Sequence, residues 1–144
     1  METPHVPDRL SFRTRLTTRW SDEDTQGVVN NAVYLTLLEE GRYHYFRHLG
    51  LLRENAFPFV LAQTNARFLA PLRAGGELEL QLSTVHVGTS SFRQAYRLHD
   101  LEEQGPVLEA EALLVGWDGE TRSKQALAAP FRTAIQTFEE AAQR

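Results

Sequence analysis

The acidic run Asp22-Glu23-Asp24 leads through Thr25-Gln26-Gly27 and Val28-Val29 into Asn30-Asn31 and a long amphipathic segment. This order places carboxylates within a few residues of a helix start. A carboxylate can attack a carbonyl carbon or orient a water molecule that does so. The free N–H groups and positive dipole end of a helix can stabilise the anion that develops on the carbonyl oxygen. The same acidic side chains also serve as helix caps, and spacing alone leaves both roles open.

The elements that would position such a site are legible around it. From Asn30 to His48 the apolar residues Tyr34, Leu35, Leu38, Tyr45 and Phe46 recur at helical spacings, continued by Leu49, with no proline between them. Glu39, Glu40, Arg47 and His48 form the polar face. Asn30 or Asn31 can cap the start, and Gly50 before Leu51 is a left-handed stop. Gly41 costs a helix about 1 kcal/mol relative to alanine, which points to a close approach to another backbone.

Ahead of this helix, Leu10, Phe12, Leu16 and Trp20 alternate with polar residues as a first strand. After it, Arg53–Pro58 reads as a connection and Phe59–Leu69 as a second strand, closing at Ala70-Pro71. Gly75-Gly76 turns into a third strand through Leu78, Leu80 and Leu82. Gly88-Thr89-Ser90-Ser91 turns into a fourth through Phe92, Tyr96 and Leu98. Glu102–Pro106 is a polar turn. The fifth strand follows Leu108, Ala110, Ala112, Leu114 and Gly116, a face small enough to leave room for a helix. Asp118-Gly119 signals a hairpin into a short element around Lys124–Leu127, and Pro130 opens a terminal helix over residues 131–144. Residues 1–9 read as a flexible start. One long helix covering an antiparallel sheet is an α+β arrangement in a single domain, 1–144.

Composition narrows the function classes. The 144 residues suit one core, and the absence of cysteine excludes disulfide scaffolds and thiolate chemistry. A net charge of −4 argues against bulk-charge binding to nucleic acid. The apolar runs are far shorter than a membrane span, and the acidic start is unlike a signal peptide, so the expectation is a cytoplasmic protein. Lys124 is the one lysine, leaving arginine to contact phosphate or carboxylate.

Along nearly its whole length the chain resembles the hotdog-fold acyl-CoA thioesterases of the 4-hydroxybenzoyl-CoA thioesterase type, in which an antiparallel sheet wraps around one long helix. The matching stretches are Asp22 to Asn31, Tyr34-Leu35, Glu39, Gly41-Arg42, Arg67-Phe68, Pro71 and Gly88 to Phe92. The resemblance implies that Asp24 acts on the thioester, as nucleophile or general base, and that amides at Asn31 polarise its carbonyl. Gly27 would let the backbone come close to the substrate. The candidate substrate-binding residues are Asn30, Tyr34, Gln63, Thr64, Ser90, Ser91, Arg93 and Arg67, with Arg73 as a weaker candidate for coenzyme A phosphates. The resemblance further implies a homodimer with a shared site, often a homotetramer, and no metal or cofactor beyond the coenzyme A of the substrate. Two other readings stand beside it: an acyl-carrier-protein thioesterase, and a non-catalytic acyl-thioester-binding subunit.

The remaining polar residues read as structural. Glu39 and Arg42 are spaced for an ion pair along the helix or between subunits. His44 and His48 have zinc-compatible spacing without the glutamate of His-Glu-x-x-His, and read as a solvated pair. His86 and His99 have no visible partner. Ser90-Ser91 lacks the Gly-x-Ser-x-Gly elbow of serine hydrolases.

Overall fold

In a computed structural model, which describes residues 2–54, 56–103 and 105–144, the segments of alternating polarity form one antiparallel sheet. Its strands are β1 (Phe12–Thr17), β2 (Phe59–Phe68), β3 (Glu77–Val87), β4 (Ser91–Asp100) and β5 (Gly105–Asp118), in the order β1-β3-β4-β5-β2. A two-residue β6 (Ser123–Lys124) pairs with the end of β5. The helices are α1 (Asn31–His48) and α2 (Ala129–Ala142). This is the expected α+β hotdog arrangement. Asn55, in the expected connection, and Gln104, in the expected polar turn, lie outside the described residues, as does Met1.

Both ends of α1 are fixed by the signals the sequence carries. Asn30 is the N-cap, its side chain accepting from the Ala32 N–H at 2.9 Å. At the other end Gly50 N–H donates to Arg47 C=O and Leu51 N–H to Phe46 C=O, the paired bonds of a Schellman stop. Between them Gly41 lets the helix lie on β3, because a Cβ there would collide with Leu80 Cδ2. The small face of β5 is not where the helix comes closest: Gly116 makes room for the Gln125 carbonyl instead. The core then fills from both sides. Phe46 meets Phe59, Phe92 and Phe131 at centroid distances of 5.2, 5.7 and 5.4 Å, so α1, the sheet and α2 share one aromatic cluster.

Three expectations are corrected. Trp20 is not the inward end of a strand: β1 stops at Thr17, and Trp20 starts a 3₁₀ turn with 85% of its surface exposed. Leu35 is 42% exposed rather than part of the helix's buried face. Arg42 makes no ion pair with Glu39 within the chain; it is buried, donating to the Tyr96 hydroxyl at 3.0 Å. The first residues cross the outer sheet face, where Arg97 donates to the carbonyls of Pro7 and Asp8 and Asn65 to that of Glu2.

The two sheet edges differ in character. β1 is six residues long and presents the exposed charges Arg13 and Arg15, features that discourage pairing with another chain. β2 is ten residues long, pairs with β5 alone, and exposes Val60, Leu61 and Phe68. It is the edge left open to a partner.

Candidate active site

The acidic loop is a miniature hairpin. Glu23 and Val29 bridge in antiparallel fashion, Asp24 N–H donates to Val28 C=O at 2.8 Å, and Gly27 N–H returns to Asp24 C=O at 3.1 Å. This geometry requires a left-handed residue after the turn, and Gly27 supplies it with φ of 75°. Gly27 therefore has a local conformational task.

The hairpin and the chain leading into it are pinned to the connection between β2 and β3 by contacts distant in sequence. Val29 N–H donates to Leu72 C=O at 2.7 Å, Glu23 Oε1 accepts from Ala74 N–H at 2.9 Å, and Thr18 Oγ1 accepts from Gly75 N–H at 2.9 Å. These anchors span more than 40 residues of chain. No local pattern announces them.

The geometry separates the two aspartates. Asp22 is buried and spent: Oδ2 accepts from the Arg19 N–H at 2.8 Å and Oδ1 pairs with the Arg19 guanidinium at 3.0 Å. The Arg19 backbone N–H, with help from its side chain, holds the Asp22 carboxyl below the usual carboxylate range against the opposing effect of burial. Asp24 is exposed, with Oδ1 accepting from Gln26 N–H at 2.8 Å and Oδ2 without a partner among the described residues. One oxygen orients the side chain; the other is left open to solvent.

The helix start lies against the same loop, since Asn30 N–H donates to Asp22 C=O at 2.9 Å. Ala32 N–H is taken by the Asn30 side chain and Val33 N–H by the Asn30 carbonyl. The amide of Asn31 has no acceptor among the described residues, and both Asn30 and Asn31 are exposed. It is the free donor at the positive end of an 18-residue helix. Tyr34 is only 2% exposed, its ring meeting Phe68 edge-on at 5.1 Å, and burial pushes its hydroxyl above the ordinary value. A cleft of about 540 Å³ flanks the loop, lined by Gln26, Gly27, Val28, Pro71 and Arg73, but its far rim carries Glu102 and Glu103 and does not favour a polyphosphate.

The other candidates are spread along the sheet. Thr64, opposite Ala112, faces α1, whereas Gln63, opposite Leu113, faces outward; neighbouring strand residues cannot line one surface. Arg67 is exposed opposite Glu109. The turn bearing Ser90 is fixed by Leu127 N–H on Thr89 C=O and Gly116 N–H on Ser90 C=O, with Ser90 and Arg93 exposed. That turn begins β4, whereas the acidic loop lies beside Asp100, where β4 ends. Ten residues of strand separate them by roughly 30 Å. One chain does not bring Ser90, Ser91 and Arg93 to its own Asp24. Glu23, Thr18 and Leu72, which hold the loop, escaped the sequence reading.

Among the described residues no three His, Asp or Glu side chains converge as a metal site. His44 lies 3.7 Å from Glu40, and His48 packs between Phe12 and Phe138. Among the described residues no helix is long and apolar enough to cross a membrane.

A sheet wrapped around one long helix defines a protein of the hotdog-fold class. The thioesterase-like superfamily profile matches residues 18–138, and the chain belongs to that family. A thioesterase from Thermus thermophilus, solved in complex with coenzyme A and zinc, is 28% identical and superposes with a TM-score of 0.79 over 93% of this chain and 98% of its own. A 1,4-dihydroxy-2-naphthoyl-CoA thioesterase from Synechocystis shares the fold with a TM-score of 0.77 at 23% identity, over 87% of this chain and 95% of its own. The chloroplastic acyl-acyl carrier protein thioesterases ATL3 and ATL2 of Arabidopsis thaliana are 26% and 30% identical over 69% of this chain. The matches span 54% and 55% of those proteins, so this chain corresponds to about half their length.

Proposed function

We propose that the protein hydrolyses acyl-CoA to free acid and coenzyme A, with Asp24 as nucleophile or general base and the Asn31 amide as oxyanion donor. The observation that carries this reading is the free Asp24 oxygen on a loop bonded to a helix start whose first amide is also free. As a base, Asp24 takes a proton from water while the oxygen adds to the carbonyl carbon. As a nucleophile, it forms an anhydride that water then opens. In both routes the C–S bond breaks and the sulfur leaves as coenzyme A thiolate, to be protonated. The developing oxyanion sits at the α1 N-terminus, where one lost donor typically costs about 2.7 to 4 kcal/mol.

The working unit in this proposal is a homodimer formed through β2. Two-fold pairing of that open edge sets the Phe68 end of one strand against the Phe59 end of the other and covers Val60, Leu61 and Phe68. The Ser90–Arg93 turn of one subunit then meets the acidic loop of its partner. This accounts for candidates that lie at opposite ends of β4 within one subunit. Coenzyme A in the Thermus relative supports the substrate class, and association of such dimers into a tetramer is part of the proposal.

The Arabidopsis relatives motivate a second reading, delivery of the acyl group by acyl carrier protein. Thiol release from matched acyl-CoA and acyl-carrier-protein substrates tests both. Faster turnover of acyl-CoA at equal concentration is expected, and preference for the carrier protein would replace the first reading with the second. Binding of both without hydrolysis would leave a non-catalytic acyl-thioester-binding subunit.

A further inference from the structure

A polar chain unused by the proposed chemistry runs through the core. Arg42 Nη1 donates to Tyr96 Oη at 3.0 Å, Tyr96 Oη to Gln94 Oε1 at 2.6 Å, and Gln94 Nε2 to Thr84 Oγ1 at 3.1 Å. Thr84 Oγ1 donates to Tyr45 Oη at 2.9 Å and Tyr45 Oη to Glu139 Oε1 at 2.6 Å. Each bond points the same way. A guanidinium can only donate, an ionised carboxylate can only accept, and each hydroxyl between them has one proton to give. The ends therefore fix the direction of the middle, and such chains strengthen cooperatively.

The burial of these groups raises the stakes. Tyr45, Gln94 and Tyr96 are fully buried, and Arg42 and Thr84 are 5% and 6% exposed. Burial pushes the Tyr96 hydroxyl up to about 12, with Arg42 opposing, so it remains a neutral donor at working pH. Arg42 has no carboxylate within ion-pair distance among the described residues, leaving Glu139 as the anionic terminus of its chain. Glu139 is held in turn: its Oε1 also accepts from Thr84 N–H and Ser11 Oγ, both at 2.9 Å.

Arg42 and Tyr45 both belong to α1, beside the Gly41 contact with Leu80. The acidic loop is anchored separately, through Leu72, Ala74 and Gly75. The reacting parts proposed above thus rest on two mounts, joined at the Asn30 N–H bond to the Asp22 carbonyl. A displacement of about 1 Å between them can cost a hundredfold in rate.

We infer that Glu139 and Arg42, though not in contact, are coupled positioning residues that set α1, and with it the Asn31 amide, against the Asp24 loop. The inference rests on the proposed thioesterase reading. Thiol release by the full chain tests it, using Arg42→Met, Glu139→Ala, their double variant, and Glu139→Gln. Each single truncation is expected to lower kcat about tenfold with KM within about twofold. The double variant should also lose about tenfold, not the hundredfold of independent sites. Glu139→Gln, which keeps an acceptor oxygen, should stay within about threefold of the parent.

Tyr45→Phe, which removes one central hydroxyl and little volume, covers the case in which a truncation fails to fold. It should match the tenfold loss and make addition of Arg42→Met nearly silent. Single losses that multiply, Glu139→Gln as poor as Glu139→Ala, or Tyr45→Phe as active as the parent would overturn the inference. A parent without thioesterase turnover would instead sink the functional reading, and the positioning role with it.

Discussion

Asn30 joins the two halves of the candidate site: its N–H donates to the Asp22 carbonyl at 2.9 Å while its side chain caps α1 at Ala32. One residue thereby closes the acidic loop and opens α1. Asn30→Ala keeps the backbone bond and loses the cap, so unfolding in urea should show about 1 kcal/mol less stability. Asn30→Asp, which retains an acceptor and adds favourable charge at the helix start, should remain near the parent.

Gly41 separates two opposing effects. Alanine gains about 1 kcal/mol of helix propensity, but its Cβ must enter the space of Leu80, which is fully buried. Overpacking of this kind typically costs about 1 to 3 kcal/mol, so the clash wins. Gly41→Ala should lower the urea midpoint, and adding Leu80→Ala should recover part of the loss. An unchanged midpoint in the single variant would mean that α1 does not lie as close to β3 as described.

His99 should make stability pH-dependent. Burial foremost, then the neighbouring Arg97, depress its pKa below 6.5, with Glu79 opposing. The unfolded chain takes up the proton first as pH falls, so the native state binds fewer protons and loses relative stability. Above 6.5 both states are neutral and nothing is lost. Urea midpoints should decline from pH 6.5 toward the folded pKa, and His99→Gln should flatten that part of the curve.

A site shared between subunits makes a sharper prediction. Asp24→Ala disables the acidic loop and Arg93→Ala the distant turn, so each homodimer should be impaired at both of its sites. Co-refolded mixtures form heterodimers with one site lacking both residues and one intact. Thiol release should rise toward about a quarter of parent activity in an equimolar random mixture, by the statistics of symmetric pairing. Activity no greater than the mean of the two variants would place both residues in one subunit's site.

Much of the fold was legible because it is written in local signals. Asn30 and Gly50 bracket α1 through caps that act over a few residues, and the alternating leucines of β3 state which face is buried. The errors fall where distant chain decides the outcome. Trp20 continued the apolar alternation of β1, but Thr18 turns to accept from Gly75, 57 residues away. Arg42 looked like the partner of Glu39 because the spacing suited it. Its real partner is Tyr96, 54 residues on, at the head of a chain no spacing rule could trace.

The site was legible in part for the same reason. The hairpin around Gly27 and the free Asn31 amide follow from residues within ten positions of one another. Which aspartate is free was a different matter, since both stand ahead of the helix. Arg19 decides it by occupying both oxygens of Asp22. Gln63 and Thr64 were both expected to line the site from one strand, but neighbouring strand residues point to opposite faces.

The most direct measurement is thiol release from a panel of aliphatic, aromatic and hydroxylated acyl-CoAs by the parent, Asp24→Asn and Asp22→Asn. A loss of about a hundredfold or more in folded Asp24→Asn, roughly 3 kcal/mol of barrier, is expected on whichever acyl-CoA the parent turns over best. Asp22→Asn should instead lower the urea midpoint. Full turnover by Asp24→Asn would contradict the account, because the Asp24 oxygen left free by the loop would then have no part in the reaction.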